Sequence, residues 1–474
     1  MSSGLTRPNR LLTLNSSARP TTRDLATRDP RPPAADSPQP SSRESDDRHA
    51  PRANTVMSTP GDRLTPTRAY DLLRRFDALV FMSLLWFMVQ YLRFVFPPLF
   101  ETIQDAYGVS NAEVGVLYSA LLFAYAIMQF PSGYLSDRFS ERLVITAGAL
   151  VFGIGSLVVF VSVPFWSLVV GVVLIGFGTG THKTVAINML SRLYPSKTGL
   201  SVGVMDTVGQ AGGALAPATV ILVFAVAVDW RAIFLVGFVI CLALAYGFNR
   251  SVGRDAAETT GADSDDEDAS PTRSGRAYLR LFRYYHFSAF VGVSSSFTFS
   301  WVGLTSFYPL YLTNTASFSP GTAGALYSLL FVLAISQPVA GSLSDRFDAT
   351  SVILLTFCLI VVGLGAVLTA RTLLAFVVTT AVLGLGFHGF RPVRGAYLMQ
   401  IIPAEVGGGV LGLVRTVMIV VSATAPTILG YTADVFGLTY AFGILVVVGA
   451  VGLLLVLSLK VVPMPPSEAL VNTD

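Results

Sequence analysis

The stretches PSGYLSDRF (131–139) and VAGSLSDRF (339–347) contain the same pattern, G-x-L-S-D-R-F, and each directly follows a long apolar run. The aspartates of the two copies are 345 − 137 = 208 residues apart. The sequence before each copy repeats as well, since GVLYSALLFAYAIMQF (115–130) precedes the first and GALYSLLFVLAISQP (324–338) precedes the second. The chain is therefore predicted to consist of two related halves.

The composition is poor in charge: 13% of the 474 residues are charged and 52% are hydrophobic. A soluble domain carries about 25% charged residues, so the composition indicates a membrane protein. A spanning helix needs about 20 mostly apolar residues, and twelve such stretches lie near 76–98, 112–134, 143–161, 166–190, 200–226, 230–249, 285–311, 320–344, 350–370, 372–396, 405–430 and 436–460. The predicted fold class is an all-α membrane protein with twelve transmembrane helices in two six-helix, pseudo-symmetric bundles.

Polar segments divide the chain into five predicted regions. These are a disordered cytoplasmic tail (1–67), an N-terminal six-helix bundle (68–250), a cytoplasmic linker (251–283), a C-terminal six-helix bundle (284–462) and a cytoplasmic tail (463–474). Arginine and lysine are concentrated in the loops on the side of the termini, and such loops are usually cytoplasmic. We therefore expect a multi-pass protein of the cell membrane with both termini in the cytoplasm.

The first copy of the repeated motif resembles the loop between helices 2 and 3 of the major facilitator superfamily, roughly G-x-L-A-D-R-x-G-R-K. Ser140 and Glu141 depart from the second half of that pattern. The G-x-G-x-G run at 176–180 and WRAIF (230–234) also look like this family. The resemblance covers residues from about 70 to 460. It implies a secondary transporter that works by alternating access in the lipid bilayer.

Six motif residues are predicted to take part in gating: Gly133, Asp137, Arg138, Gly341, Asp345 and Arg346. The glycines would let a neighbouring helix approach closely. The carboxylates would cap the positive N-terminus of a helix from the other half. Such a cap forms in only one arrangement of the halves, so it would bias alternating access. The alternative is that the Asp-Arg pair simply caps a tight loop.

Ionisable side chains inside spans indicate function, because they are costly to bury in lipid. Lys183 and Arg391 are 391 − 183 = 208 residues apart, which is the repeat offset. A two-fold repeat would place them at matching depth on opposite halves. Since the family lines its central cavity partly with helices 1, 4, 7 and 10, these cations look like a clamp for an anion. The alternatives are a structural Lys183–Asp206 pair and a misplaced span boundary.

Four further residues are candidates for the transport site. Arg93, His182 and His388 are candidate solute ligands. An interfacial anchor is the alternative for the arginine. The histidines could instead couple protons by titrating near neutrality, or simply pack in the core. Asp206 is the candidate proton-coupling residue, because a buried carboxylate near a lysine can link protonation to conformation.

The predicted function is secondary active transport of a small organic or inorganic anion, coupled to protons. One alternative is a proton-driven multidrug exporter, whose G-P-x-x-G-G sequence is matched only loosely by GQAGGALAP (209–217). The other is a non-transporting sensor on a transporter fold. No Cys/His cluster has metal-ligand spacing and no nucleophile–base group stands out. We therefore expect no enzymatic activity, no metal or other cofactor and no nucleic-acid partner, and we expect a monomer.

Overall fold

The computed structural model describes residues 66–259, 281–401 and 407–462. Most of the predicted N-terminal tail, most of the predicted linker and the predicted C-terminal tail lie outside these ranges. The regular secondary structure within them is helical.

Twelve helices in the described ranges are long and apolar enough to cross a bilayer. In the first half they are α1 Asp77–Tyr107, α2 Asn111–Gln129, α3 Glu141–Phe160, α4 Phe165–Leu193, α5 Pro195–Ala225 and α6 Ala232–Val252. In the second half they are α7 Tyr285–Asn314, α8 Pro320–Ser344, α9 Ala349–Thr369, α10 Leu373–Gly395, α11 Leu413–Phe436 and α12 Leu438–Val461. The prediction of an all-α membrane protein with two sets of six spans is confirmed.

Several helices continue past their apolar spans. The helix of α1 begins at Pro66, that of α6 reaches Thr259 and that of α10 reaches Ile401. The helical end of α6 thus extends into the predicted linker, beyond residue 250. Hydropathy marks where lipid contact ends, whereas a helix can continue into water on its own backbone hydrogen bonds.

The two halves pack their helices in the same way. In the first half α3 packs on α4 and α6, and α1 packs on α5. In the second half α9 packs on α10 and α12, and α7 packs on α11. This equivalence of neighbours is what a duplicated six-helix unit predicts.

The halves meet along two helix pairs, α2 with α11 and α5 with α8. We call the end of the molecule with the repeated motif the motif end, and the opposite end the far end. Glycines let α2 and α11 touch toward the far end. A Cβ at Gly430 would lie 2.2 Å from the carbonyl oxygen of Asn111, and one at Gly115 would lie 2.3 Å from that of Pro426.

The first copy of the motif is helical, contrary to the expectation of a loop. Its residues belong to the helix Asn111–Phe139, which extends α2, and those of the second copy end the helix Gln337–Arg346. Only Ser140 separates the first of these helices from α3. Its φ is 111°, a conformation that residues other than glycine rarely adopt.

We expect Ser140→Gly to stabilise the protein. A residue in such a conformation costs about 1–3 kcal/mol. The Ser140 hydroxyl also accepts a hydrogen bond from the Leu143 amide, but exchanging a serine cap for glycine costs only a few tenths of a kcal/mol. Thermal unfolding in detergent should show a higher Tm for Ser140→Gly. Ser140→Ala, which keeps the strain and loses the cap, should lower the Tm. A Tm of Ser140→Gly at or below that of wild type would count against the strain.

Candidate functional site

Two cations of the central helices each lie over a tryptophan ring. The ammonium group of Lys183 on α4 is 4.7 Å from the ring centroid of Trp86 on α1. The guanidinium carbon of Arg391 on α10 is 4.8 Å from the ring centroid of Trp301 on α7. Helices α1 and α7, like α4 and α10, are equivalent in the two halves. The cation–π contact therefore occurs once in each half, between equivalent helices.

Asp206 on α5 forms an ion pair and a hydrogen bond with Lys183. The Lys183 side chain is 12% exposed, whereas that of Asp206 is 47% exposed. Asp206 also interacts electrostatically with Arg391 of the other half. A half-exposed carboxylate that interacts with the opposite half borders the space between the halves. The Lys183–Asp206 pair anticipated from the sequence is thus present, at the edge of this space.

Arg391 forms no ion pair with an acid within the described ranges. The charges that act on it are those of Arg394, Asp206 and Arg93, in decreasing order. Arg394 in turn interacts with Arg415 on α11. The one carboxylate of this group is already paired with a lysine, so the centre of the molecule carries an excess of positive charge. A cation at mid-span costs about 2.5–3.5 kcal/mol on insertion scales, so an anion here would be stabilised.

Both candidate histidines are buried against backbone carbonyl oxygens. His182 Nε2 lies 3.0 Å from the Met82 oxygen, and its ring stacks on Trp86 at 5.9 Å. His388 Nε2 lies 2.8 Å from the Leu330 oxygen, and its ring meets the Trp301 ring at 5.4 Å. Each imidazole packs against one of the two tryptophans. This arrangement favours the core-packing alternative over a role as solute ligands.

Arg93 lies in an aromatic cluster inside the bundle. Its guanidinium carbon is 5.5 Å from the ring centroids of Phe94 and Tyr125, and the Tyr118 hydroxyl donates to its carbonyl oxygen at 3.1 Å. It also interacts electrostatically with Tyr327 on α8 of the other half. The side chain thus has partners from α2 and α8 rather than from the membrane interface. This favours the solute-pocket interpretation over the interfacial anchor.

The motif glycines do not bring a helix of the other half close in this conformation. Nothing lies within 4 Å of a Cβ built at Gly133, and at Gly341 only Pro392 of its own half is near, at 3.8 Å. The expected close approach is therefore not made. The halves are joined toward the far end, so the motif glycines stay apart from the other half. The nearby Glu141 forms an ion pair with Arg192 of its own half at 2.5 Å.

Within the described residues, Asp137, Arg138 and Arg346 form no hydrogen bond or ion pair with the other half. Asp137, Arg138 and Arg346 are exposed, and Asp137 makes no hydrogen bond or ion pair in the described part of the chain. The side chain of Asp345 lies outside that part. Ser140, not Asp137, caps α3, so the plain loop-capping alternative has no support in the first copy. The gating role of the motif stays a prediction for the opposite arrangement of the halves.

A model of the protein family described as Major Facilitator Superfamily matches residues 82–334 and 289–473. The chain belongs to the major facilitator superfamily. It is accordingly a membrane transporter and not an enzyme. The fold of this superfamily member resembles a bacterial homologue of the human lysosomal transporter Spinster, solved in an inward-facing, unoccupied conformation. The TM-score is 0.69 at 15% sequence identity, covering 83% of this chain and 99% of the other.

Several curated relatives of this superfamily member are named as transporters. A probable sulfoacetate transporter of Cupriavidus necator is 26% identical over 394 residues, which cover 77% of this chain and 90% of the relative. A hexuronate transporter of Bacillus subtilis is 28% identical over 158 residues, or 33% of this chain and 37% of the relative. A probable 4-methylmuconolactone transporter of Cupriavidus pinatubonensis is 23% identical over 366 residues, which cover 75% of this chain and 82% of the relative.

Three residues of the superfamily member had not been identified from its sequence. Trp86 and Trp301 carry the two cations, and Asp434 on α11 contacts the start of α2 in the other half. The sequence could have identified the tryptophans. The chain has only four, and these two lie on spans 1 and 7, which are expected to line the central cavity. Asp434 lies in the loop predicted after span 405–430, and a polar residue in a loop does not by itself indicate function.

Proposed function

We propose that this chain is a monomeric, proton-coupled secondary transporter of a small organic anion. The observation that carries the proposal is Arg391, which lies on the Trp301 ring between the halves with no acidic partner in the described ranges. The names of two relatives agree with it, since sulfoacetate and hexuronate are both anions at neutral pH. No observation favours the drug-exporter or sensor alternatives.

The two cations would hold the anion from opposite halves. Arg391 lies over the Trp301 ring, and its planar fork of N–H groups can donate to two oxygens of a carboxylate or sulfonate. Lys183 would add a point charge from the first half. An anion bridging the two would draw the motif ends of the halves together, and this movement would close one side of the site and permit the other to open.

Asp206 would couple this binding to protons. While it is ionised, Asp206 neutralises Lys183 and repels an incoming anion. Protonation removes both effects, so a bound proton raises the affinity for the anion. By linkage the bound anion raises the affinity for the proton by the same factor. The proposal therefore predicts symport of anion and proton.

Uptake by proteoliposomes tests the proposed function. Labelled sulfoacetate, hexuronates and simple carboxylates are offered with and without a pH gradient, beside neutral and cationic compounds of similar size. We expect uptake of at least one anion, accelerated by an acidic exterior. In Asp206→Asn the acceleration should vanish. Asp229→Asn, which removes a carboxylate paired with Arg231 of its own half, should keep the acceleration. Transport restricted to neutral or cationic compounds would contradict the proposal.

We further propose that the motif end faces the cytoplasm, because arginine and lysine are concentrated in its loops. Cysteines are introduced at Ser196 on the motif end and at Val163 on the far end, both exposed, in a background without Cys241 and Cys358. An impermeant thiol reagent added to intact cells should label position 163 and spare position 196. The reverse pattern would overturn the orientation and leave the fold intact.

A further inference from the structure

Asp434, near the far end of α11, contacts the first turn of α2 in the other half. Its Oδ1 accepts hydrogen bonds from the backbone amide of Asn111 at 3.0 Å and from the Asn111 side chain at 2.8 Å. Its Oδ2 accepts from the amide of Ala112 at 2.8 Å. Both amides belong to the start of a helix, where N–H groups lack intrahelical partners and carry partial positive charge.

The local sequence leaves these two amides to Asp434. Ser110 and Glu113 form a capping box, in which the serine hydroxyl accepts from the Glu113 amide and the glutamate accepts from the Ser110 amide. The amides of Asn111 and Ala112, which lie between them, have Asp434 as their acceptor. The amides in the first turn of α2 therefore all have a protein acceptor only while the two halves are in contact at the far end.

The surrounding contacts are arranged along the same two helices. The hydroxyl of Thr427, two turns before Asp434, donates to Ser119 Oγ at 2.8 Å. Between them, Gly430 brings the backbones of α2 and α11 together. Asp434 thus terminates a continuous line of contacts between the halves, and it is the charged member of that line.

We propose that Asp434 is a second gating residue, which holds the far end shut by capping α2. Helices α2 and α11 run antiparallel. Each carries an aspartate toward its C-terminal end, Asp137 on the helix of α2 and Asp434 on α11. Asp434 lies where α2 begins, and the antiparallel packing directs the end of the α2 helix that carries Asp137 toward the start of α11. Asp434 makes its cap in the present arrangement, in which Asp137 makes none. The inference concerns only the balance between arrangements, so it is independent of which solute is carried.

Substitution of Asp434 should destabilise only the arrangement with a shut far end. With the far end open, water satisfies the amides of α2, and the carboxylate contributes nothing to that state. Asp434→Asn keeps the size but loses the charge and one acceptor oxygen. Asp434→Ala loses both acceptors. We expect the ratio of open to shut far ends to rise about threefold to tenfold for the asparagine variant, and further for alanine.

Distances between spin labels in the purified full chain test this proposal. One pair, at the exposed Val163 and Leu374, reports the far end; a second, at the exposed Ser196 and Phe347, reports the motif end. In Asp434→Asn the long-distance population of the far-end pair should grow while the motif-end pair shortens. Unchanged distributions in both the asparagine and alanine variants would overturn the proposal.

Two controls separate a latch from a merely structural residue. Asp229→Asn removes another carboxylate at the far end, one that bonds Arg231 within the same half. It should leave both distance distributions as in wild type. If the distances within both label pairs increase in the Asp434 variants, the bundle has loosened as a whole, and the proposal that Asp434 holds the far end shut is refuted.

Discussion

Arg391→Gln is expected to weaken binding of the transported anion about tenfold to a hundredfold. The substitution removes a charge-assisted contact of about 1.5–3 kcal/mol, and 1.4 kcal/mol corresponds to a factor of ten in affinity. Arg391→Lys should weaken binding less, because it keeps the charge and loses only the planar fork. The affinity is measured by titrating the purified variants in detergent with the anion that the uptake assay identifies.

The matched control is Arg371→Gln at the far end, since this exposed arginine donates to the carbonyl oxygens of Leu368 and Ala370 next to it in the chain. The Arg371→Gln variant should bind the anion with the wild-type affinity. The other side of the site is best tested by Lys183→Gln together with Asp206→Asn, because the lysine substitution alone leaves the carboxylate without its partner. Wild-type affinity in Arg391→Gln would rule out this arginine as a ligand.

Gly430→Ala is expected to reduce transport strongly, because the new methyl group disfavours closure of the far end. The new Cβ would lie 2.2 Å from the Asn111 oxygen and 3.1 Å from the Ala112 Cα, both backbone atoms of the other half. Overpacking of this kind costs about 1–3 kcal/mol, which reduces the shut arrangement roughly five- to a hundredfold. Initial uptake rates in proteoliposomes, at equal amounts of folded protein, measure the effect.

Gly443→Ala on α12 is the control for this prediction. Nothing lies within 4 Å of a Cβ at that position, so the variant should transport like wild type. If Gly430→Ala also transports at the wild-type rate, then contact between α2 and α11 is not required in the transport cycle.

The fold could be predicted from the sequence because hydropathy and duplication are both readable along the chain. Twelve apolar runs and a repeat of 208 residues are enough to specify two six-helix halves. The helical state of the repeated motif could not be read in the same way. Polar residues such as Asp137 look like the start of a loop, although here they continue the helix past the lipid.

The site was predictable in part. The repeat offset identifies Lys183 and Arg391 as equivalent, and the short turn near Pro195 brings Lys183 within reach of Asp206. The partners from distant helices depend on how each helix is rotated about its axis, which one sequence does not report. Trp301 and Asp434 belong to this class, since their contacts join spans that are far apart in the chain.

The central claim is that an anion is held between the two cation–tryptophan pairs. The most direct test is the position of the transported anion in a structure of the complex. We predict its acidic group within about 3 Å of the guanidinium nitrogens of Arg391, on the side that faces Lys183 and Asp206. An anion found elsewhere, with Arg391 making no contact to it, would contradict the account.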